Sequence, residues 1–425
     1  MKGFDLTTPG VTRSRLEGET LRVFSICDGC RRCFNLCPSF NTLFDRVDAH
    51  ESDLSKLVAG DYERIAQECY YCKLCFNHCP YTEPHQYEID FPRLMIAWKK
   101  QIAAEGGATW RDRLLVKTEL IGKSSSLLAP LANWAMRTGP IRMVLDAVIG
   151  IHRDRHVMAF QSETFPRWWA RRKPNPAGPT GKRKVALFAS CLVNYQATDV
   201  GKATVQVLEK NGIEVALPEQ RCCGMPSFDL GDTETIVKAA KANLQSFTPW
   251  LDAGYDVVSP VPSCSLMLKR EYPYLLQSKE AVRLAERTFD VSEYLMRLKR
   301  DGLMVCEFPH KPGRVAYQIP CHLRDQNIGF KSKELMEVAG AEVRVIERCT
   351  GHDGAWGAKK EFFDLSMKVA KKAVREVNES PADLIASDCP LSALQLDQAG
   401  AASVRGVRAT LHPIQIVRDA YGLPS

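Results

Sequence analysis

Two stretches of this chain share one rhythm of cysteines. Cys27, Cys30, Cys33 and Cys37 are followed by Pro38, and Cys69, Cys72, Cys75 and Cys79 by Pro80; both read C-x2-C-x2-C-x3-C-P. Three thiolates two residues apart wrap a short loop around three corners of one iron–sulfur cube. The fourth, three residues on and followed by proline, turns away and serves the other cube. The spacing therefore assigns Cys27, Cys30, Cys33 and Cys79 to one [4Fe–4S] cluster, and Cys69, Cys72, Cys75 and Cys37 to a second. A pair of zinc knots, the metal-binding scaffold alternative, uses two C-x2-C pairs and gains nothing from a third cysteine or the x3 step.

The spacing is that of bacterial ferredoxins. Thirty-one residues separate Cys37 from Cys69, far more than a small ferredoxin needs. Within them, Asp53 to Gln67 has helical spacing, with Leu54, Leu57, Val58, Tyr62 and Ile65 on one stripe. A helix-rich two-cluster module is expected, similar to the cluster domain of iron–sulfur subunits of respiratory dehydrogenases.

At 425 residues the chain exceeds one ordinary core, which implies two or three domains. It carries 16 cysteines, and Met1 to Arg15 has no apolar stretch of the secretory kind. The expectation is a cytoplasmic protein in which thiols stay reduced and clustered cysteines bind metal. No run of about 20 apolar residues offers a bilayer span. The net charge of +7 is spread along the chain, apart from a cluster near Arg167 to Lys184. That is too little to argue for nucleic acid; a membrane surface or an acidic partner protein fits at least as well.

Residues 101–182 form a cysteine-free middle segment after a helix expected from Phe91 to Glu105, entered through Pro92. From Leu127 to Ile151 the chain is apolar, but Arg137, Arg142, Asp146 and the Gly139-Pro140 break argue for two short amphipathic helices. They either pack on the other domains or touch a membrane interface, with Trp168 and Trp169 beside Arg167, Arg171 and Arg172 as anchors. Arg171 to Lys184 reads as an interdomain linker.

The remainder holds a diverged duplication. Lys184 to Cys191 and Arg314 to Cys321 are each a short apolar strand ending at a cysteine. A helical stretch and a glycine follow, Gly212 or Gly340, then Arg221-Cys222-Cys223-Gly224 in one copy and Arg348-Cys349-Thr350-Gly351 in the other. A further helix and strand lead to Cys264 and to Cys389. Alternating strands and helices predict two α/β units with parallel strands, with cysteines at the strand ends where such sheets place their sites. The expected fold is thus a multidomain α+β and α/β protein: a helical ferredoxin module over 1–100, the middle segment over 101–182, and tandem α/β units over 183–310 and 311–425.

The order Cys, Cys-Cys-Gly, Cys resembles the CCG domain found in heterodisulfide reductase, in the iron–sulfur subunits of glycolate and lactate oxidases, and in iron–sulfur subunits of anaerobic glycerol-3-phosphate dehydrogenases. The last also share the order of parts. In heterodisulfide reductase the closing motif has two cysteines; here Met267 and Ser392 stand at the second position, and Thr350 matches Cys223. The first unit therefore keeps Cys191, Cys222, Cys223 and Cys264, enough for one further iron–sulfur cluster. The second keeps Cys321, Cys349 and Cys389, enough only with help from His322 or His352. A metal-free redox pair Cys222–Cys223 is an alternative for the first unit, and a degenerate packing repeat for the second; Cys306 has no counterpart. Gly351 to Gly357 is glycine-rich, but neither it nor any other segment is a dinucleotide fingerprint or phosphate loop. The resemblance implies an electron-transfer subunit that accepts electrons from a flavin-containing dehydrogenase partner and passes them to quinone or another acceptor. Its alternative is a reductase that cleaves disulfides at the CCG site.

Overall fold

The computed structural model describes residues 12–173, 183–352, 354–401 and 409–425. The linker expected from Arg171 to Lys184 lies mostly outside them. The chain divides into two compact units: Met1–Val116 with Pro226–Ile236 and Asp353–Trp356, and Lys117–Met225 with Val237–His352 and Gly357–Ser425.

The first unit is helical. Its main elements are Arg13–Cys30, Pro38–Ala49, Ala59–Glu68, Leu74–His78 and Phe91–Ala104. Aromatic side chains from these helices form the core: Phe40 stacks on Phe91 with ring centroids 4.4 Å apart, and Tyr62 on Trp98 at 5.3 Å. The buried Trp98 indole finds the partner it needs, donating to Thr20 Oγ1 at 2.8 Å. The stripe expected from Asp53 to Gln67 is broken. Leu54–Lys56 is a 3-10 turn capped by Asp53, the helix starts only at Ala59, and Val58 at its N-cap is 63% exposed. The Asp61 carboxylate accepts the Val58 N–H at 3.0 Å, so a local cap outcompetes continuation of the helix.

Two short segments complete this unit, and they leave the tandem repeats at equivalent places, after Cys-Cys-Gly and after Cys-Thr-Gly. The first brings Phe228 onto Tyr71, at 4.7 Å. The second brings Trp356 onto Tyr70, at 4.8 Å, with its indole N–H donating to the Gln67 carbonyl at 3.0 Å. At Gly231, with φ of +63°, an added Cβ would lie 2.4 Å from the Lys100 nitrogen, so only glycine fits that crossing.

The second unit contains two parallel sheets. β1 (Lys184–Leu187), β2 (Glu214–Ala216), β3 (Asp256–Ser259) and β4 (Thr288–Asp290) are ordered β2-β1-β3-β4. β5 (Arg314–Gln318), β6 (Glu342–Ile346) and β7 (Leu384–Ala386) are ordered β6-β5-β7. The registers correspond: Val185 pairs with Val215 and Val315 with Val343. At the β7 edge, Leu411 makes a single parallel bridge to Ala386 where the first repeat has β4. The near-continuous apolar burial of β1, β3 and β5 is what parallel strands covered on both faces require.

The second unit also contains the middle helices Thr118–Leu127, Ala129–Ala135 and Gly139–Ile149. Their apolar side chains do not all pack inward: Leu127, Leu128, Leu131, Trp134, Met143 and Val144 are each about 60% exposed. Arg142 is buried instead and donates to the carbonyls of His152, Arg153 and Arg155. Trp168 stacks on Phe165, and Arg172 covers Trp169 while pairing with Glu209. Those two tryptophans are thus half-buried, whereas Trp110 and Trp134 are exposed.

Candidate iron–sulfur centres

In the first unit the cysteines sit at helix ends, where backbone can turn toward a common centre. Cys27 and Cys30 close the first helix, Cys37 is the N-cap of the helix begun by Pro38, and Cys69 and Cys79 follow the ends of Ala59–Glu68 and Leu74–His78. Between them, Arg31, Asn35, Tyr71 and Lys73 all adopt the left-handed conformation, with φ from 50° to 62°. Non-glycine residues rarely do so, and such strain concentrates at ligand clamps.

Cys27, Cys30, Cys33 and Cys79 line one pocket with Phe40, Phe44 and Ile89. Burial pushes the Cys27 thiol up, and the other three sulfurs of that set add to the effect; Cys33 is pushed up to about 11 by burial and then by Cys79 and Cys30. Cys75 is pushed up by burial and by Cys69 and Cys37. Clustered buried thiols of this kind favour the proton until a cation replaces it. The donor set is sulfur throughout, as a thiolate-held iron–sulfur cluster requires.

In the second unit, Cys191 is the first residue of the helix after β1, Cys264 lies in the helix Pro262–Leu266 after β3, and Cys222 and Cys223 come from the loop between. The structure brings these four together. Cys222 Sγ is 3.7 Å from Cys191 Sγ, and Cys264 Sγ is 3.4 Å from Cys223 Sγ. Hydrogen bonds from Cys191 and Cys223 hold the Cys222 thiol well below its ordinary value, while Cys191 and Cys223 are pushed up. No disulfide joins any of the described cysteines. The set is chemically suited to soft, thiolate-bound iron. Its sulfurs are in hydrogen-bond contact, so a four-iron cluster requires the Cys222–Cys223 loop to open.

That loop is held by residues the sequence reading missed. Asn243 accepts the Arg221 N–H at 2.7 Å and donates to the Arg221 carbonyl at 3.2 Å and to Tyr272 Oη at 3.0 Å. Tyr272 Oη donates to the Cys223 carbonyl at 3.0 Å. Tyr272 follows a π-helical turn, Met267–Glu271, a feature frequent at functional sites. Neither residue lies in a cysteine motif, so no spacing pattern announces them.

The second cysteine set is built differently. Cys321 begins the helix after β5 and Cys389 caps the helix after β7. Thr350, in the place of Cys223, donates to Ser392 at 3.2 Å, and Cys349 Sγ accepts the Gly351 N–H at 3.3 Å. His322 Nδ1 is engaged by Ser263 Oγ at 2.8 Å. His352 Nδ1 is buried without a hydrogen-bond partner, and burial and then Arg155 push its imidazole down to about 3. Gln326 donates to the Pro262 carbonyl and to Ser265 Oγ, so the helix bearing Cys321 is locked to the helix bearing Cys264.

Comparison with known proteins agrees with this architecture. Residues 185–269 and 315–397 match the cysteine-rich CCG domain, and residues 20–105 the citrate utilization protein B Fer4-like domain. The subunit designated C of anaerobic glycerol-3-phosphate dehydrogenase from Escherichia coli K12 is 30% identical over 73% of this chain and 77% of its own length. Lactate utilization protein A is 34% identical in Geobacillus thermodenitrificans and 33% in Bacillus pumilus, each over 48% of this chain and 87% of the relative. The chain belongs to the family of iron–sulfur electron-transfer subunits of oxidoreductases that includes this component of anaerobic glycerol-3-phosphate dehydrogenase.

Proposed function

We propose that this chain carries electrons from a flavin-containing dehydrogenase partner through two [4Fe–4S] clusters to a cluster in the first CCG repeat, and on to quinone or another acceptor. Cys27, Cys30, Cys33 and Cys79 hold the first cluster, and Cys69, Cys72, Cys75 and Cys37 the second. Cys191, Cys222, Cys223 and Cys264 hold the third. The observation that carries this reading is the convergence of Cys79 with the other motif's Cys27, Cys30 and Cys33 on one sulfur-lined pocket. The relatives' names support a small hydroxylated organic substrate, oxidised on the partner protein. Cys321, Cys349 and Cys389, with Thr350 where the first repeat has Cys223, are assigned the weaker site. The test is anaerobic reduction: substrate plus the partner flavoprotein should bleach the clusters, and substrate alone should not. Oxidation of substrate by the purified chain alone, with no flavoprotein able to reduce its clusters, overturns the proposal.

The exposed face of the middle helices supports peripheral attachment to an anionic bilayer surface. No described helix is long and apolar enough to cross a membrane. From Lys117 to Ile149 the exposed charges are Lys117, Lys123 and Arg137, whereas Glu119 and Asp146 are turned to backbone amides of Cys222 and Arg153. Exposed apolar side chains together with exposed cations are the composition that interfacial helices use.

A further inference from the structure

Glycine and two hydroxyl residues recur at four-residue spacing on the helix Thr118–Leu127: Thr118, Gly122 and Ser126. That spacing puts all three on one face. The face lies against the helix Cys191–Tyr195. An added Cβ at Gly122 would come within 2.3 Å of the Tyr195 ring, and Ser126 Oγ reaches the Tyr195 carbonyl at 3.5 Å. The close seat has a result at the helix's first turn. Thr118 Oγ1 donates to Cys191 Sγ at 3.3 Å and lies 3.7 Å from Cys222 Sγ. The next residue, Glu119, accepts the Cys222 N–H at 3.1 Å. One helical turn thus touches two of the four sulfur-bearing residues of the first CCG site, from a segment that contains no cysteine and lies outside both residue ranges matching the cysteine-rich domain.

We infer that Thr118 is a positioning residue of the first CCG site, which sets the reduction potential of the cluster held there through its O–H···S bond to Cys191. The inference rests on the proposed binding of a cluster by Cys191, Cys222, Cys223 and Cys264. A hydrogen bond donated to a cysteine sulfur withdraws charge from it, stabilises the more negative reduced state, and raises the potential. Thr118 is held on target by the Gly122 seat, because a helix carrying any larger residue there would stand off from Tyr195 and withdraw the hydroxyl.

The experiment is an EPR-monitored redox titration of the full chain, wild type against Thr118→Val, Thr118→Ser and Gly122→Ala. Thr118→Val removes the donor at nearly constant volume. It should shift the midpoint of the CCG-site signal to a more negative potential and leave both ferredoxin-type midpoints in place. Thr118→Ser keeps the hydroxyl and should titrate as wild type; Gly122→Ala should shift in the same direction as Thr118→Val. An unchanged midpoint in Thr118→Val, or an equal shift in Thr118→Ser, overturns the assignment while leaving cluster binding intact. Absence of any third cluster signal from the wild type overturns the underlying site, and the role of Thr118 with it.

Discussion

The Asn243 side chain offers a direct measure of how the first CCG loop is held. It is 1% exposed and makes three hydrogen bonds, to both backbone groups of Arg221 and to Tyr272. Each is worth about 1 kcal/mol net, and truncation leaves the Arg221 amide without its acceptor. Asn243→Ala should therefore favour local opening of the Arg221–Cys223 loop by about 3 kcal/mol. At 1.4 kcal/mol per tenfold, that is on the order of 100-fold in the opening equilibrium. The assay is alkylation of the metal-free protein without denaturant, followed by mass spectrometry of the peptide bearing Cys223, which is 3% exposed in the closed loop. Exposed Cys306 serves as the internal standard. The rate at Cys223 relative to Cys306 should rise on the order of 100-fold, and the relative rate at Cys75 in the other unit should not change. An unchanged ratio, or an equal rise at Cys75, would refute the reasoning: the first would mean that Asn243 does not hold the loop, the second that its loss is global.

Other consequences can be measured separately. Because Cys33 is raised from 9.0 to about 11, the folded metal-free protein holds that proton more tightly than the unfolded chain. This stabilisation is complete below pH 9 and is lost as the pH rises through about 11, so the urea midpoint of the metal-free protein should fall across that window; a flat midpoint contradicts it. Trp356→Ala removes a buried ring that packs against Tyr70 and donates to the Gln67 carbonyl; it should cost the first unit about 3–5 kcal/mol, read as loss of ferredoxin-type absorbance at lower urea. Replacing Leu128 and Trp134, both exposed, with glutamate should abolish sedimentation with anionic vesicles while iron content stays at the wild-type level.

Much of this molecule is legible in its sequence because thiol chemistry and parallel-strand burial both leave local patterns. The x3 step and its proline are read as turning Cys37 and Cys79 away from their own loops; the helix that Pro38 starts, with Cys37 as its cap, is not announced by that spacing. The apolar runs before Cys191 and Cys321 become β1 and β5, and Phe91–Ala104 is a helix with Pro92 in its first turn. What escapes the sequence is long-range. The Asp61 cap that breaks the 53–67 stripe is a choice between two local hydrogen-bonding patterns that periodicity does not weigh. Thr118 meets Cys191 across 73 positions, and Trp356 meets Gln67 across 289. Such contacts depend on how helices seat, through residues such as Gly122 that carry no chemistry of their own. The exposed face around Trp134 has the same composition as a buried one, and only the packing distinguishes them.

Metal content tests the central claim most directly. Iron and acid-labile sulfide should be counted on anaerobically purified protein, with EPR of the reduced sample. Two cubes in the first unit and one cluster in the first CCG repeat predict about twelve irons and twelve sulfides per chain. About eight irons would remove the CCG-site cluster from the account, and zinc in place of iron at the Cys27 and Cys69 motifs would contradict it altogether.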